Sequence, residues 1–388
     1  MQNFEFELPT KIVFGPGSLK KLPKKVSGLG KKALIVIGQG SVKKNGYLDQ
    51  VVNMLKDIGV ETVIFEGIEP NPRAGTIDKA AELARAEKVR YVIALGGGSV
   101  MDASKCIAML AVNEGKIWDY AYKGVGGEMN SLQKSLPLVC IPTVAATSSE
   151  TDRYAVVTNE ATKEKSTVFG NEFFPTISII DPELTFSVSS QTTVDGAMDI
   201  IIHVLEDYLS TNGKTPLQDR FSLAIVKTVM DRLALVLKNP SDVDSRSQLS
   251  WASSIALSGF LSGREGGWPM HSIEHALSGH FDISHGRGLS AILPAMLQYD
   301  LAVNADKIAD MGKYLFKSAT AEECISAFVA WMKEVGAYCR LSDLNVPKDG
   351  LDKVAADVIR LNGDSRGYLE NIKPMNKDDI LQILQSIY

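Results

Sequence analysis

Two hydrophobic rhythms divide this chain. Up to about residue 180, short apolar runs alternate with amphipathic stretches, and beyond about residue 187 a helical period runs almost without interruption. Residues 33–37, 61–65, 89–95 and 136–141 read as strands, and the continuous apolarity of 33–37 suits a parallel strand covered on both faces. Amphipathic helices are predicted over 47–58 and 76–87, so successive βαβ units with right-handed crossovers are expected. The opening FEFELPTKIVFG alternates like a strand and stops at the turn Gly15-Pro16-Gly17, and 154–158 and 177–180 read as further strands. In the second half, 192–210, 217–238, 247–262, 288–303, 321–336 and 376–387 suit helices, and another starts near Pro269. The change of period between Thr185 and Gln191 predicts two domains, an α/β domain over 1–187 and an all-α domain over 188–388.

At 388 residues the chain is long enough for two cores, and its 45% apolar and 22% charged residues are those of a water-soluble globular protein. A net charge of −5 argues against nucleic acid or an anionic membrane as partner, and no apolar run has the length of a membrane span. The start, MQNFEFELPTKIVFG, lacks the basic and apolar regions of a secretory signal. Cys106, Cys140, Cys324 and Cys339 lack CxxC spacing, so reduced thiols and a cytoplasmic location are expected.

The third strand runs into Gly96-Gly97-Gly98-Ser99, with a helix expected from about Val100. Strand, glycine turn and helix form a phosphate-binding geometry, because glycines allow close backbone approach and the free N–H groups of the helix start face the anion. The spelling is neither a Walker A loop nor GxGxxG. The fourth strand leads into Pro142-Thr-Val-Ala-Ala-Thr-Ser-Ser-Glu150, a hydroxyl-rich loop that reads equally as a ribose or amide contact and as a solvated connection.

Four of the five histidines fall within 271–285, and the fifth, His203, follows Asp199 at i,i+4 on a helix apolar nearly all round. A buried carboxylate there needs a partner or a cation. His271 and His275 repeat the i,i+4 spacing, and His285 is expected in a loop before the helix that opens at Gly286-Arg-Gly288. A carboxylate and imidazoles together suit Fe(II), Zn(II), Ni(II) or Co(II). His280 has no partner at helical spacing and reads as a bystander. His271-Ser-Ile-Glu274-His275 also spells the inverted zinc-protease motif, but that reading leaves Asp199, His203 and His285 without a role.

Taken together, FELPTKIVFGPGSL, Pro70-Asn71-Pro72, GGGSVMDASK at 96–105, IPTVAATSSE at 141–150, Asp199-x3-His203, His271-x3-His275 and His285-Gly286 resemble the iron-dependent (group III) alcohol dehydrogenase family over essentially the whole chain. The resemblance implies a Rossmann-like dinucleotide-binding domain followed by an all-α domain, in the architecture of dehydroquinate synthase, with the active site in the cleft between them. It implies Asp199, His203, His271 and His285 as metal ligands, Fe2+ first with Zn2+ or Ni2+ as alternatives, and His275 as the histidine beside the substrate. It also implies that Gly97, Gly98 and Ser99 cradle the pyrophosphate, with Asp102, Asn71, Thr143, Thr147 and Lys165 near the cofactor, and that the protein is a homodimer.

Two departures bear on function. NAD-using relatives carry an Asp just after the first strand, where this chain has Gly38-Gln39-Gly40-Ser41 followed by Lys43 and Lys44. An acid would repel a ribose 2′-phosphate and this turn admits one, so NADP(H) is expected over NAD(H). The usual Thr-Thr-Ala-Gly-Thr-Gly-Ser-Glu loop reads Thr143-Val-Ala-Ala-Thr147-Ser-Ser-Glu150, which bears on nicotinamide placement. The expected reaction is hydride transfer between NAD(P)H and a small alcohol/aldehyde pair. The competing readings are a sugar-phosphate cyclase or polyol dehydrogenase of the same superfamily, and a non-catalytic nucleotide sensor.

Overall fold

The structure, a computed structural model, describes residues 3–209, 215–263 and 266–388. In chain order the strands are β1 (Lys11–Phe14), β2 (Lys32–Ile37), β3 (Glu61–Glu66), β4 (Tyr91–Gly96), β5 (Leu138–Pro142), β6 (Tyr154–Asn159), β7 (Glu164–Phe169) and β8 (Ile177–Ile180). Between them lie α1 (Leu22–Val26), α2 (Ser41–Lys44), α3 (Tyr47–Asp57), α4 (Ala74–Ala86) and α5 (Gly98–Leu110). Then follow α6 (Ser190–Leu209), α7 (Pro216–Lys238), α8 (Val243–Ala256), α9 (Pro269–Phe281), α10 (His285–Leu315), α11 (Ala321–Glu334), α12 (Leu351–Asn362) and α13 (Lys377–Ser386).

Six strands form one parallel sheet in the order β1-β8-β5-β4-β2-β3, and β6 and β7 make a separate antiparallel hairpin. The two-residue period of β2 explains why helices cover both faces. Leu34 and Val36 pack with α4 and α5 on one side, while Ala33, Ile35 and Ile37 pack with α1 and α3 on the other. The helices from α6 onward bury their own core, centred on α6, α7, α9 and α10.

The halves meet where backbone comes very close to backbone. A Cβ on Gly196 of α6 would stand 2.4 Å from the carbonyl oxygen of Ala145, so only glycine lets α6 lie against the 142–150 loop. That loop is not solvated. Ser148 is buried and donates its hydroxyl to the Ser253 carbonyl, Ala146 N–H donates to Ser253 Oγ at 2.9 Å, and Ser254 Oγ donates to Glu150 Oε1 at 2.6 Å.

Several elements differ from the sequence expectation. The opening strand covers only Lys11–Phe14, and residues 3–10, which include Pro9, pair with no strand. Proline lacks the ladder N–H, which weakens any strand through it. Hairpin strand β7 and helices α2 and α12 are additional to the expected elements. Helix α5 opens at Gly98 rather than Val100, and α10 runs from His285 to Leu315, well past the expected 288–303. The last residue of the expected helix 192–210 lies outside the described residues.

Candidate active site

At the C-terminal edge of the sheet, β4 ends at Gly96 and Gly97 caps α5 in extended backbone (φ −84°, ψ −170°) with no side-chain cap. The first N–H groups of a thirteen-residue helix are therefore left to a ligand. The roof over the turn is the 142–150 loop: a Cβ on Gly98 would stand 2.5 Å from Thr147 Cγ2 and 2.7 Å from its Oγ1. Thr143 N–H donates to the Gly96 carbonyl at 2.9 Å, which ties the loop to the strand end. Asp102, one turn into α5, accepts from Ser149 Oγ at 2.6 Å and from Val156 N–H at 2.9 Å. It binds loop and hairpin to the glycine turn, and burial pushes its pKa up.

On the next strand outward, Gly38 follows β2 and packs near Ile68 O and Val100. Gly40 takes φ 109° and leads into Ser41 of α2. Asn71 is buried, but its amide donates to Asp282 Oδ1 at 2.9 Å and the Ile283 carbonyl at 3.3 Å, so its visible contacts reach the helical half.

The carboxylate–imidazole cluster lies on α6, α9 and the start of α10. Ser284, the residue capping α10, donates to Asp195 Oδ2 at 3.2 Å, which pins the helix start one turn away from Asp199. His285 is the first residue of α10, not a loop residue. Oδ1 of Asp199 is the hub: His203 Nδ1 lies 3.3 Å from it, His285 Nε2 3.6 Å and His271 Nε2 3.8 Å. His203 also stacks on His271, with ring centroids 4.4 Å apart and 19° between planes. One ligand atom each from Asp199, His271 and His285 lie within 4.8 Å of one another, a trio that His203 flanks without joining.

Asp199 Oδ1, His203 Nδ1 and His271 Nε2 are buried and make no hydrogen bond among the described residues. Each such orphan costs roughly 1–3 kcal/mol, so three of them gathered around the Asp199 carboxylate fit a bound cation.

Behind two of the imidazoles stand carboxylates the sequence reading left without a role at this site. Glu206 Oε2 pairs with Nδ1 of His271, and its Oε1 accepts the Met270 N–H at 2.5 Å. Glu274 Oε2 pairs with Nδ1 of His285, and Lys165 Nζ lies 3.3 Å from the same oxygen and 3.4 Å from His285 Nδ1. A carboxylate on Nδ1 assigns the proton there and turns the Nε2 lone pair toward Asp199, the usual support of a metal-bound histidine. Glu206 is one helical turn after His203 on α6, directly after Val204 and Leu205, and that unexplained acid is the available signal. Glu274, fully buried and engaged with His285 and Lys165, is not placed as a protease base. Lys165, which the resemblance implies lies near the cofactor, touches the imidazole cluster.

The charges agree with this arrangement. Burial would push Asp199 up, but His203 and His285 outweigh it and hold its carboxyl well below the usual range. Burial would lower His271, and Glu206 and Asp199 reverse that, raising it to about 9. Burial brings His203 down to about 3. His275 is half-buried between His271 and His285, with ring centroids at 6.2 and 5.7 Å. His280 lies apart, its Nε2 2.6 Å from Asp357 Oδ2 on α12. Trp268 meets both His203 and His271 edge to face, an apolar wall beside the cluster.

A parallel α/β sheet with a glycine turn, joined to a helical half carrying buried carboxylate and imidazoles, defines an iron-containing alcohol dehydrogenase, and the chain belongs to that family. The family description "Iron-containing alcohol dehydrogenase" matches residues 9–182, and "Fe-containing alcohol dehydrogenase family, C-terminal" matches residues 193–388. The chain is 36% identical to the probable NADH-dependent butanol dehydrogenase 2 of Bacillus subtilis, covering 100% of both chains. It is 31% identical to the NADPH-dependent aldehyde reductase YqhD of Escherichia coli over 88% of this chain and 89% of that one. Among solved structures it superposes on NADH-dependent butanol dehydrogenase A of Thermotoga maritima with a TM-score of 0.94 and 36% identity, covering 100% of this chain and 99% of that one.

Proposed function

We propose that the protein is a metal-dependent alcohol dehydrogenase and aldehyde reductase that transfers a hydride between NAD(P)H and a small alcohol/aldehyde pair. The observation that carries this is the convergence of Asp199, His271 and His285, whose ligand atoms lie within 4.8 Å of one another with Asp199 Oδ1 and His271 Nε2 buried and unpartnered among the described residues, in a chain whose sheet edge also offers a helix start without a side-chain cap at Gly97–Ser99.

Asp199, His203, His271 and His285 would hold the metal, Fe2+ first with Zn2+ or Ni2+ as alternatives, while Glu206 and Glu274 fix the faces of two of the imidazoles. When bound, the metal supplies a Lewis acid to the substrate oxygen and the nicotinamide supplies the hydride. Gly97, Gly98 and Ser99 bind the pyrophosphate through backbone N–H groups, and Thr143 and Thr147 border the same turn. His275, beside the ligand rings but not turned into the hub, holds or moves the proton of the substrate hydroxyl. Trp268 excludes water on one side.

The relatives' names include both NADH and NADPH. The open turn at Gly38, Gly40 and Ser41 supports NADP(H), but Lys43 is engaged by Glu66, which removes part of that support. We read residues 1–187 as the nucleotide-binding domain and 188–388 as the metal-binding domain, in a cytoplasmic homodimer. Among the described residues β1 pairs only with β8, and its outer edge would serve such a dimer.

The test is metal analysis combined with NADH and NADPH oxidation on butanal. His271→Ala should lose both metal and activity. His275→Ala should keep the metal and lower the rate. Loss of metal from His275→Ala with retention in His285→Ala would refute the ligand assignment.

A further inference from the structure

Glu66 ends β3, and the parallel register sets it beside Ile37, the last residue of β2, which in turn sits beside Leu95 of β4. These strand ends lie in one row, and the glycine turn of α5 opens at the inner end of it. In open α/β sheets, ligands bind outside this carboxyl edge. Glu66 is therefore on the ligand side of the sheet.

Its carboxylate leans over the turn that β2 leads into. A Cβ on Gly40 would stand 4.0 Å from Glu66 Oε1, and Glu66 Oε2 makes an ion pair with Lys43 of α2. Both side chains of the pair are about half exposed, at 45% and 42%, so water screens the pair and Glu66 keeps its reach toward an incoming ligand.

We infer that Glu66 selects the cofactor, tilting this enzyme toward NAD(H) by occupying, from the neighbouring strand, the place left without an acid at Gly38. This rests on the reading that the dinucleotide lies across the Gly97–Ser99 turn. A ribose 2′-hydroxyl can donate to the carboxylate. A 2′-phosphate carries about −1.5 to −2 charges and would meet it as a like charge. Lys43, one of the two lysines that follow the turn, is already held by Glu66. Lys44 remains, without a carboxylate partner among the described ion pairs, and does not by itself reverse the balance.

The experiment compares dissociation constants of NADH and NADPH, read by nicotinamide fluorescence on the metal-loaded protein, for wild type, Glu66→Gln and Lys43→Met. Wild type should bind NADH more tightly. Glu66→Gln should move the NADH/NADPH affinity ratio toward NADPH by about two- to fivefold, the scale of one charge interaction at a screened site. Lys43→Met, which leaves the carboxylate unpaired, should move the ratio the other way. Because both side chains are half exposed, the variants should keep the wild-type melting temperature. A wild-type preference for NADPH, or a ratio unmoved by Glu66→Gln, overturns the assignment while leaving the cofactor site in place. Failure of wild type to bind either nucleotide overturns the site reading and the selector with it.

Discussion

Glu206 lies one helical turn beyond His203 on α6, and its carboxylate closes on Nδ1 of His271 on α9, sixty-five residues away. The helix that offers Asp199 to the cluster thus also orients an imidazole on the neighbouring helix. The same relation recurs between Glu274 and His285, with Lys165 of the β6–β7 hairpin reaching the same carboxylate oxygen and the imidazole Nδ1. Each clamp joins two elements, so the geometry of the cluster depends on how the helices and the hairpin pack.

Replacing Glu206 by Gln keeps the shape and removes the charge. The amide can present N–H to His271 Nδ1, which would favour the wrong tautomer. Metal affinity, measured by competition with a chromogenic chelator, should fall by roughly 10–100-fold, with the circular dichroism spectrum unchanged. An unchanged affinity would mean that Glu206 only fills space.

Gly98→Ala tests the glycine turn. The added methyl would meet Thr147 at 2.5 Å, and the loop holding Thr147 is tied to α8, so the turn must open. Overpacking of this kind costs roughly 1–3 kcal/mol, so NADH should bind about tenfold or more weakly while metal content stays at the wild-type level. Equal nucleotide affinity in the variant would place the dinucleotide elsewhere.

Asp300 of α10 supplies a pH-dependent prediction away from the cluster. It is buried, its Oδ1 accepts from Asn371 Nδ2 at 2.8 Å, and burial pushes its pKa from 3.8 up to about 6. The folded state therefore holds this proton more tightly than the unfolded chain. Its contribution is fully present below about pH 4 and is lost as pH rises through about 6. Asp300→Asn should raise the thermal midpoint at pH 8, by the equivalent of about 3 kcal/mol, and change it little at pH 4. An equal shift at both pH values would rule out the buried carboxylate as its source.

How much was readable in advance depended on the range of the forces involved. Strands β2 and β4 and helices α6 and α9 follow from apolar periodicity, and the same periodicity puts Asp199 beside His203. Strand β7 was missed because Glu164-Lys165-Ser166-Thr167 is polar, and its pairing with β6 supplies what its composition does not. The start of α10 was misjudged because Gly286 and Gly288 look like loop residues. Gly286 is instead required by contact, since a Cβ there would stand 2.3 Å from the carbonyl oxygen of Asp195.

The sequence by itself determined the kinds of element, the helix faces carrying Asp199, His203, His271 and His275, and the glycine turn at 96–98, because each is governed by neighbours within a turn or two. The tertiary structure alone decided which nitrogen of each imidazole faces Asp199, which acids clamp the rings, and that Glu66 overhangs Gly40 while holding Lys43. The contacts of Lys43 with Glu66, of Glu274 with His285 and of Glu206 with His271 join residues 23, 11 and 65 positions apart. No local period relates side chains at such separations. Only the packing of the sheet, the hairpin and the helices brings them within reach.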